Sequence, residues 1–167
     1  MNLYILRHGL AFERDSRRFP RDSERPLTAK GERKLRKISQ AIEVLELSFD
    51  LILSSPYVRA RQTAEIVAKR LGGGLKVELS DALAPAGSPR KLINLLNGLN
   101  PAPRNVLLTG HEPYLSSLIS LLVSGEAGLE VVMKKGGLCH LKAEALQHGR
   151  CASLEWLLTP GQMALMR

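Results

Sequence analysis

Three observations predict a three-layer α/β/α domain with a largely parallel sheet. Short apolar runs at residues 3–6, 51–53 and 105–109 each lead into a segment whose apolar residues recur at helical spacing. Each junction carries turn or capping chemistry: Gly9, then Ser54-Ser55-Pro56, then Gly110. The chain then closes on runs that read as hairpin strands, at 129–133, 137–142 and 151–158. Strand–helix alternation of this kind builds a sheet of mostly parallel strands with helices on both faces. With 167 residues and no internal repeat or linker, residues 1–167 are read as one domain.

Leu3-Tyr4-Ile5-Leu6 is a buried strand that stops on Arg7-His8-Gly9. Glycine at that point lets the backbone turn without the steric cost of a Cβ. The next stretch, 13–25, is crowded with charges and has no apolar period, which predicts an exposed loop. Thr28 is a good N-cap, and Leu35, Ile38, Ile42 and Leu45 give a helix over about 29–46. After the second strand, Ser55 suits a cap and Pro56 the first helical position, with Ala60, Ala64, Val67 and Leu71 as the inner stripe. Gly72-Gly73-Gly74 stops that helix. Residues 76–79 suit a short strand, and Ser88-Pro89 opens a helix with Leu92, Leu95, Leu96 and Leu99 inward. Pro113 begins a further helix carrying Leu115, Leu118, Ile119 and Leu122, closed by Gly125.

Composition narrows the function classes. The net charge of +8, from 24 Lys and Arg against 16 Asp and Glu, favours anionic partners. The aromatics that would interleave with a single-strand nucleic-acid surface are missing, and there is no groove-reading motif, so no nucleic-acid role is expected. No apolar run approaches membrane-spanning length and no signal-peptide pattern opens the chain, so no membrane association is expected. Cys139 and Cys151 form neither a disulfide framework nor a metal-type pair, which makes a reducing cytoplasm the expected location. Both read as small apolar fillers, His140 and Trp156 as packing residues, and His148 beside Gly149 as a turn residue.

Parallel strands point the same way, so their carboxyl ends share one sheet edge, where ligands of open α/β sheets bind. Three such ends deliver Arg7 and His8, then Arg59 in the first turn of a helix, then Gly110-His111. Two arginines and two histidines without an acidic cluster describe an oxyanion site, with no metal and no cofactor called for. A cysteine phosphatase would carry an arginine six residues after its nucleophile; those positions here are Ala145 and Leu157. A phosphate-binding Gly-x-x-x-x-Gly-Lys-Ser/Thr loop is also missing.

Arg7-His8-Gly9, Leu27-Thr28-Ala29-Lys30-Gly31, the run from Ser54-Ser55-Pro56 through Arg59-Ala60-Arg61-Gln62-Thr63-Ala64, and Gly110-His111 occur in an order that spans almost the whole chain. Together they resemble the histidine phosphatase superfamily, which includes phosphoglycerate mutases and acid phosphatases. The small size, Arg25-Pro26-Leu27-Thr28 and Leu158-Thr159-Pro160 are most similar to its SixA-type phosphohistidine phosphatases. The resemblance implies a phosphoglycerate mutase-like fold and a catalytic set of His8, Arg7, Arg59 and His111. His8 would take the phosphoryl group as nucleophile, and the other three would hold its oxygens. Gly9 and Gly110 would lie at the substrate, and Arg25 would add a contact from the loop.

One departure from the family pattern concerns the proton donor. Many members carry a carboxylic acid after the third strand, whereas Leu83-Ala84-Pro85-Ala86-Gly87-Ser88 has none; Asp81 is nearest, with Glu13, Asp15 and Glu24 in the long loop as substitutes. Ordinary phosphate esters need a proton for their alkoxide leaving group, whereas an imidazole leaves readily once its other nitrogen is protonated. The expected activity is therefore removal of a phosphoryl group from histidine on a signalling or phosphotransfer protein. A phosphatase of small phosphoesters and a non-catalytic phosphate-binding module are the alternatives.

Overall fold

The computed structural model describes residues 1–72 and 74–166. In chain order it forms β1 (Asn2–Arg7), α1 (Ala29–Val44), β2 (Leu51–Ser54), α2 (Val58–Leu71), β3 (Val77–Leu79), α3 (Pro89–Asn97), β4 (Asn105–Gly110), α4 (Tyr114–Ser124), β5 (Leu138–Ala143), β6 (Ala152–Leu158) and α5 (Pro160–Met163). The strands make one sheet in the order β3-β2-β4-β1-β5-β6. The first four run parallel, and β5 lies antiparallel to both β1 and β6. β1 is thus central, paired with β4 on one side and β5 on the other.

Alternation along the buried strands separates two cores. Leu3 and Ile5 of β1 join Leu51, Leu53, Val106 and Leu108 against α3 and α4. Tyr4 and Leu6 face the other way, with Ile52, Leu107 and Leu138, against α1 and α2. Short capping contacts start the helices where strands end. Thr28 Oγ1 accepts from Gly31 N at 3.0 Å at the head of α1, and Ser88 Oγ accepts from Lys91 N at the head of α3. The stop after α2 falls on Gly72, whose φ of 69° lies in the region glycine adopts without strain. Gly73, part of that expected stop, lies outside the described residues. Among the described residues, no helix is long and apolar enough to cross a membrane.

Three local expectations are corrected. Residues 129–133 form no strand: Met133 is buried in the core, but its carbonyl is taken by the Arg7 guanidinium and not by a ladder. Helix α2 begins at Val58 with Tyr57 as cap, because Ser55 is engaged elsewhere. Leu95 points outward, and Ile93 takes a place in the core beside Leu92 and Leu96. After β6, Thr159 and Pro160 open α5 with a capping box between Thr159 and Gln162, and Met163 packs in the core under α1. His140 stacks on Tyr4 with centroids 4.5 Å apart, Trp156 packs half-buried beside both, and His148 is exposed in a turn, all as packing or turn residues.

Candidate active site

The register of the sheet brings the three strand ends together. Arg7 lies opposite Gly110, and His8 N donates to Gly110 O at 3.1 Å as the two chains leave the sheet. Ser55 N donates to Thr109 O at 2.9 Å on the other side of β4. Arg7, His8, Ser55, Arg59 and His111 therefore converge at one edge, with His8, Arg59 and His111 only 7%, 4% and 2% exposed.

His8 is held in one tautomer. Its Nδ1–H donates to its neighbour Gly9 O at 2.7 Å, which leaves the Nε2 lone pair facing the Arg59 Nε–H at 3.3 Å. Burial is the main cause that pulls its pKa down to about 3; the Gly9 carbonyl opposes this, and Arg59, Arg7 and Lys135 add to it. A neutral imidazole with a free lone pair is what a nitrogen nucleophile requires. Gly9 is constrained by space and not by the turn anticipated for it: its φ is outside the left-handed region, and a Cβ there would lie 2.6 Å from Leu35 Cδ1. Its N–H donates to Thr63 Oγ1, whose hydroxyl donates to Arg59 O, tying the strand end to the first turn of α2. Gly110 is similarly close-packed, with the Cβ position 3.0 Å from Leu115 Cδ2.

Arg59 is gripped from one side. Its Nη1 donates to Asp22 O at 2.8 Å and its Nη2 to Asp22 Oδ2 at 2.9 Å. With that edge occupied, the Nε edge of the fork faces His8, where it can meet oxygens of a phosphoryl group. Arg25 Nε donates to Asp22 Oδ1 at 3.0 Å and its Nη1 to Phe12 O, so Arg25 reaches the site through Asp22. Burial raises the Asp22 pKa, but the Arg59 and Arg25 guanidiniums outweigh it and bring it below the ordinary value.

His111 Nε2 lies 2.8 Å from Ser55 Oγ, and its ring stands 5.1 Å from the His8 ring and 5.1 Å from that of Tyr57. Burial, then His8 and Arg59, lower its pKa to about 3. Arg7 Nη1 donates to Met133 O at 2.6 Å, while Arg7 Nε and His111 Nδ1 are buried without a hydrogen-bond partner among the described residues.

Of the acids considered from the sequence, Glu13, Asp15, Glu24 and Asp81 make no hydrogen bond or ion pair with Arg7, His8, Arg59 or His111 among the described residues. Asp22 reaches the site by hydrogen bonds to Arg59, and the charge of Glu112, next to His111, acts on Arg7. Nothing local marks Asp22 in a run of alternating charges; only its neighbour Arg25, three residues on, hints at a paired turn. Ser55 was visible, but as a helix cap. Among the described residues, no group of three or more His, Cys, Asp and Glu side chains gathers in a metal-binding cluster.

A strand-end arginine–histidine pair, a helix-borne arginine and a second strand-end histidine on a three-layer sheet form a site whose donors suit a phosphoryl group. The comparisons name its class: residues 3–85 match the family model for the histidine phosphatase superfamily (branch 1), and the chain belongs to that superfamily. It is a phosphatase of the SixA-like kind. It is 31% identical over 128 residues to phosphohistidine phosphatase SixA of Escherichia coli (strain K12), covering 75% of this chain and 76% of that protein. An uncharacterized protein of Picosynechococcus sp. is 37% identical over 146 residues, 87% of each chain. A solved structure of the protein histidine phosphatase SixA complexed with tungstate superposes with a TM-score of 0.82, at 25% identity over 96% of this chain and 98% of that one.

Proposed function

We propose that the protein hydrolyses phosphohistidine on a partner protein through a phosphoryl group carried transiently on His8. The observation that carries this reading is the state of Asp22, the acid hydrogen-bonded to Arg59. Two guanidiniums hold it ionised, so this carboxylate is not poised to protonate an alkoxide. A phosphohistidine needs no such acid. With a proton on its other nitrogen it leaves as neutral imidazole when its N–P bond breaks and the His8 Nε2–P bond forms. Water then attacks the same phosphorus, the His8 N–P bond breaks, and orthophosphate leaves. Arg59, Arg7 and His111 supply donors to the three peripheral oxygens, whose charge is greatest as the group passes between nitrogens. The likeness to SixA proteins, one of them bound to the oxyanion tungstate, supports the same substrate class.

The test is a panel containing a phosphohistidine-bearing phosphotransfer domain and a sugar phosphate, run with wild type and His8→Ala. Wild type turns over the protein substrate faster, and a trapped adduct is acid-labile and alkali-stable, as an N-linked phosphate must be. The His8→Ala protein forms no adduct. Faster turnover of the sugar phosphate would replace this reading with a small-phosphoester phosphatase, and capture of phosphate without turnover would replace it with a binding module.

A further inference from the structure

We infer that Ser55 is a positioning residue that fixes the tautomer of His111, making that ring a donor toward the phosphoryl group. The inference rests on the proposed role of His111 at the transferring phosphate, and it adds a residue whose local sequence suggests only a helix cap. Ser55 is fully buried, and its Oγ has two partners. It accepts from Tyr57 N at 3.3 Å, and it lies 2.8 Å from His111 Nε2. A buried hydroxyl proton needs an acceptor, and among the described residues His111 Nε2 is the one in reach of it. The serine therefore donates to Nε2. A neutral ring has a single N–H, so the proton must sit on Nδ1.

The consequence lies on the far side of the ring. Nδ1 is buried and has no hydrogen-bond partner among the described residues, so Ser55 leaves the ring with an unmatched donor beside His8. A phosphoryl oxygen is the acceptor that would satisfy it. In the opposite tautomer Nε2–H would donate to Ser55 Oγ and Nδ1 would present a lone pair, which repels an oxyanion. The same hydroxyl also anchors the turn before α2 through Tyr57 N. Ser55 thereby couples the position of the Arg59 helix to the polarity of the His111 ring.

The tautomer can be read directly from long-range proton–nitrogen correlation spectra of the ¹⁵N-labelled chain at neutral pH, with His111 identified by the signals missing from His111→Ala. Wild type should show a protonated Nδ1 and a pyridine-type Nε2. Ser55→Ala should shift the ring toward Nε2–H and weaken binding of inorganic phosphate roughly tenfold, the scale of one hydrogen bond to a charged group. A wild-type ring protonated at Nε2, or an Nδ1–H tautomer that persists unchanged in Ser55→Ala, overturns the inference. The wild-type spectrum alone decides the first point even if the variant folds poorly. Because no phosphohistidine substrate is used, failure of the substrate assignment leaves this result unaffected.

Discussion

Lowering the pH should destabilise this protein through His8 and His111, the two buried histidines of the candidate site, by an amount that follows from their burial. Burial holds both His8 and His111 near a pKa of about 3, against 6.5 for an ordinary histidine. Between those values the unfolded chain binds protons that the folded chain refuses, so stability rises with pH across the window. It is complete above about pH 6.5 and is lost progressively as the pH falls toward 3. At pH 5 the solution lies 1.5 units below each ring's unfolded pKa, and at about 1.36 kcal/mol per unit this costs about 2 kcal/mol per ring. The pair together removes about 4 kcal/mol, a large share of the roughly 5–15 kcal/mol that holds a typical domain together. The assay is urea unfolding between pH 7.5 and 5, comparing wild type with the double variant His8→Gln, His111→Gln. His140, whose pKa burial also lowers, is present in both proteins and cancels. Asp22, whose pKa is lowered from the ordinary carboxylate value, stays ionised between pH 7.5 and 5. Wild type should lose about 4 kcal/mol more than the double variant; parallel pH dependences would refute the reasoning.

Arg59→Ala should lower kcat by roughly 10²-fold or more, and Arg59→Lys should remain impaired because a point charge cannot face His8 and Asp22 at once as the guanidinium fork does; steady-state kinetics on both variants checks this. Turnover should survive exhaustive chelation with EDTA, because arginines occupy the positions where a metallophosphatase would hold ligands; activity lost to EDTA and restored by a divalent cation would contradict it.

What the sequence disclosed and what it concealed divide along physical lines. The strand ends were legible because buried strands and the turns after them are written locally, in apolar runs followed by glycine or proline. Arg7, His8, Arg59 and His111 could thus be placed at one edge before any contact was known. Asp22 could not. Its partner Arg59 is 37 residues away, and no period or spacing in the charged loop distinguishes it from Asp15 or Glu24. The role of Ser55 is hidden for a related reason. Ser-Pro is a sound helix-start signal, but a tertiary hydrogen bond between Ser55 and a ring 56 residues away overrides it, and the helix starts at Val58. At residues 129–133 the apolar pattern suits a strand, but burial of Met133 needs no ladder.

The central place of β1 makes assembly of the site a late event in folding. Its partners lie far along the chain: Asn2 meets Asn105 across a separation of 103 residues, and Arg7 reaches Met133 across 126. Contacts of such range are slow to form, because the intervening chain must be ordered before they repay its entropy. On the ribosome, where about 5–20 residues are added each second, β1 waits on the order of ten seconds for β5 to emerge. Until then the apolar strand bearing His8 lacks a neighbour on at least one side, an edge that a chaperone can shield and another chain can capture. Phosphatase activity in a newly made chain would therefore report that the whole sheet has closed.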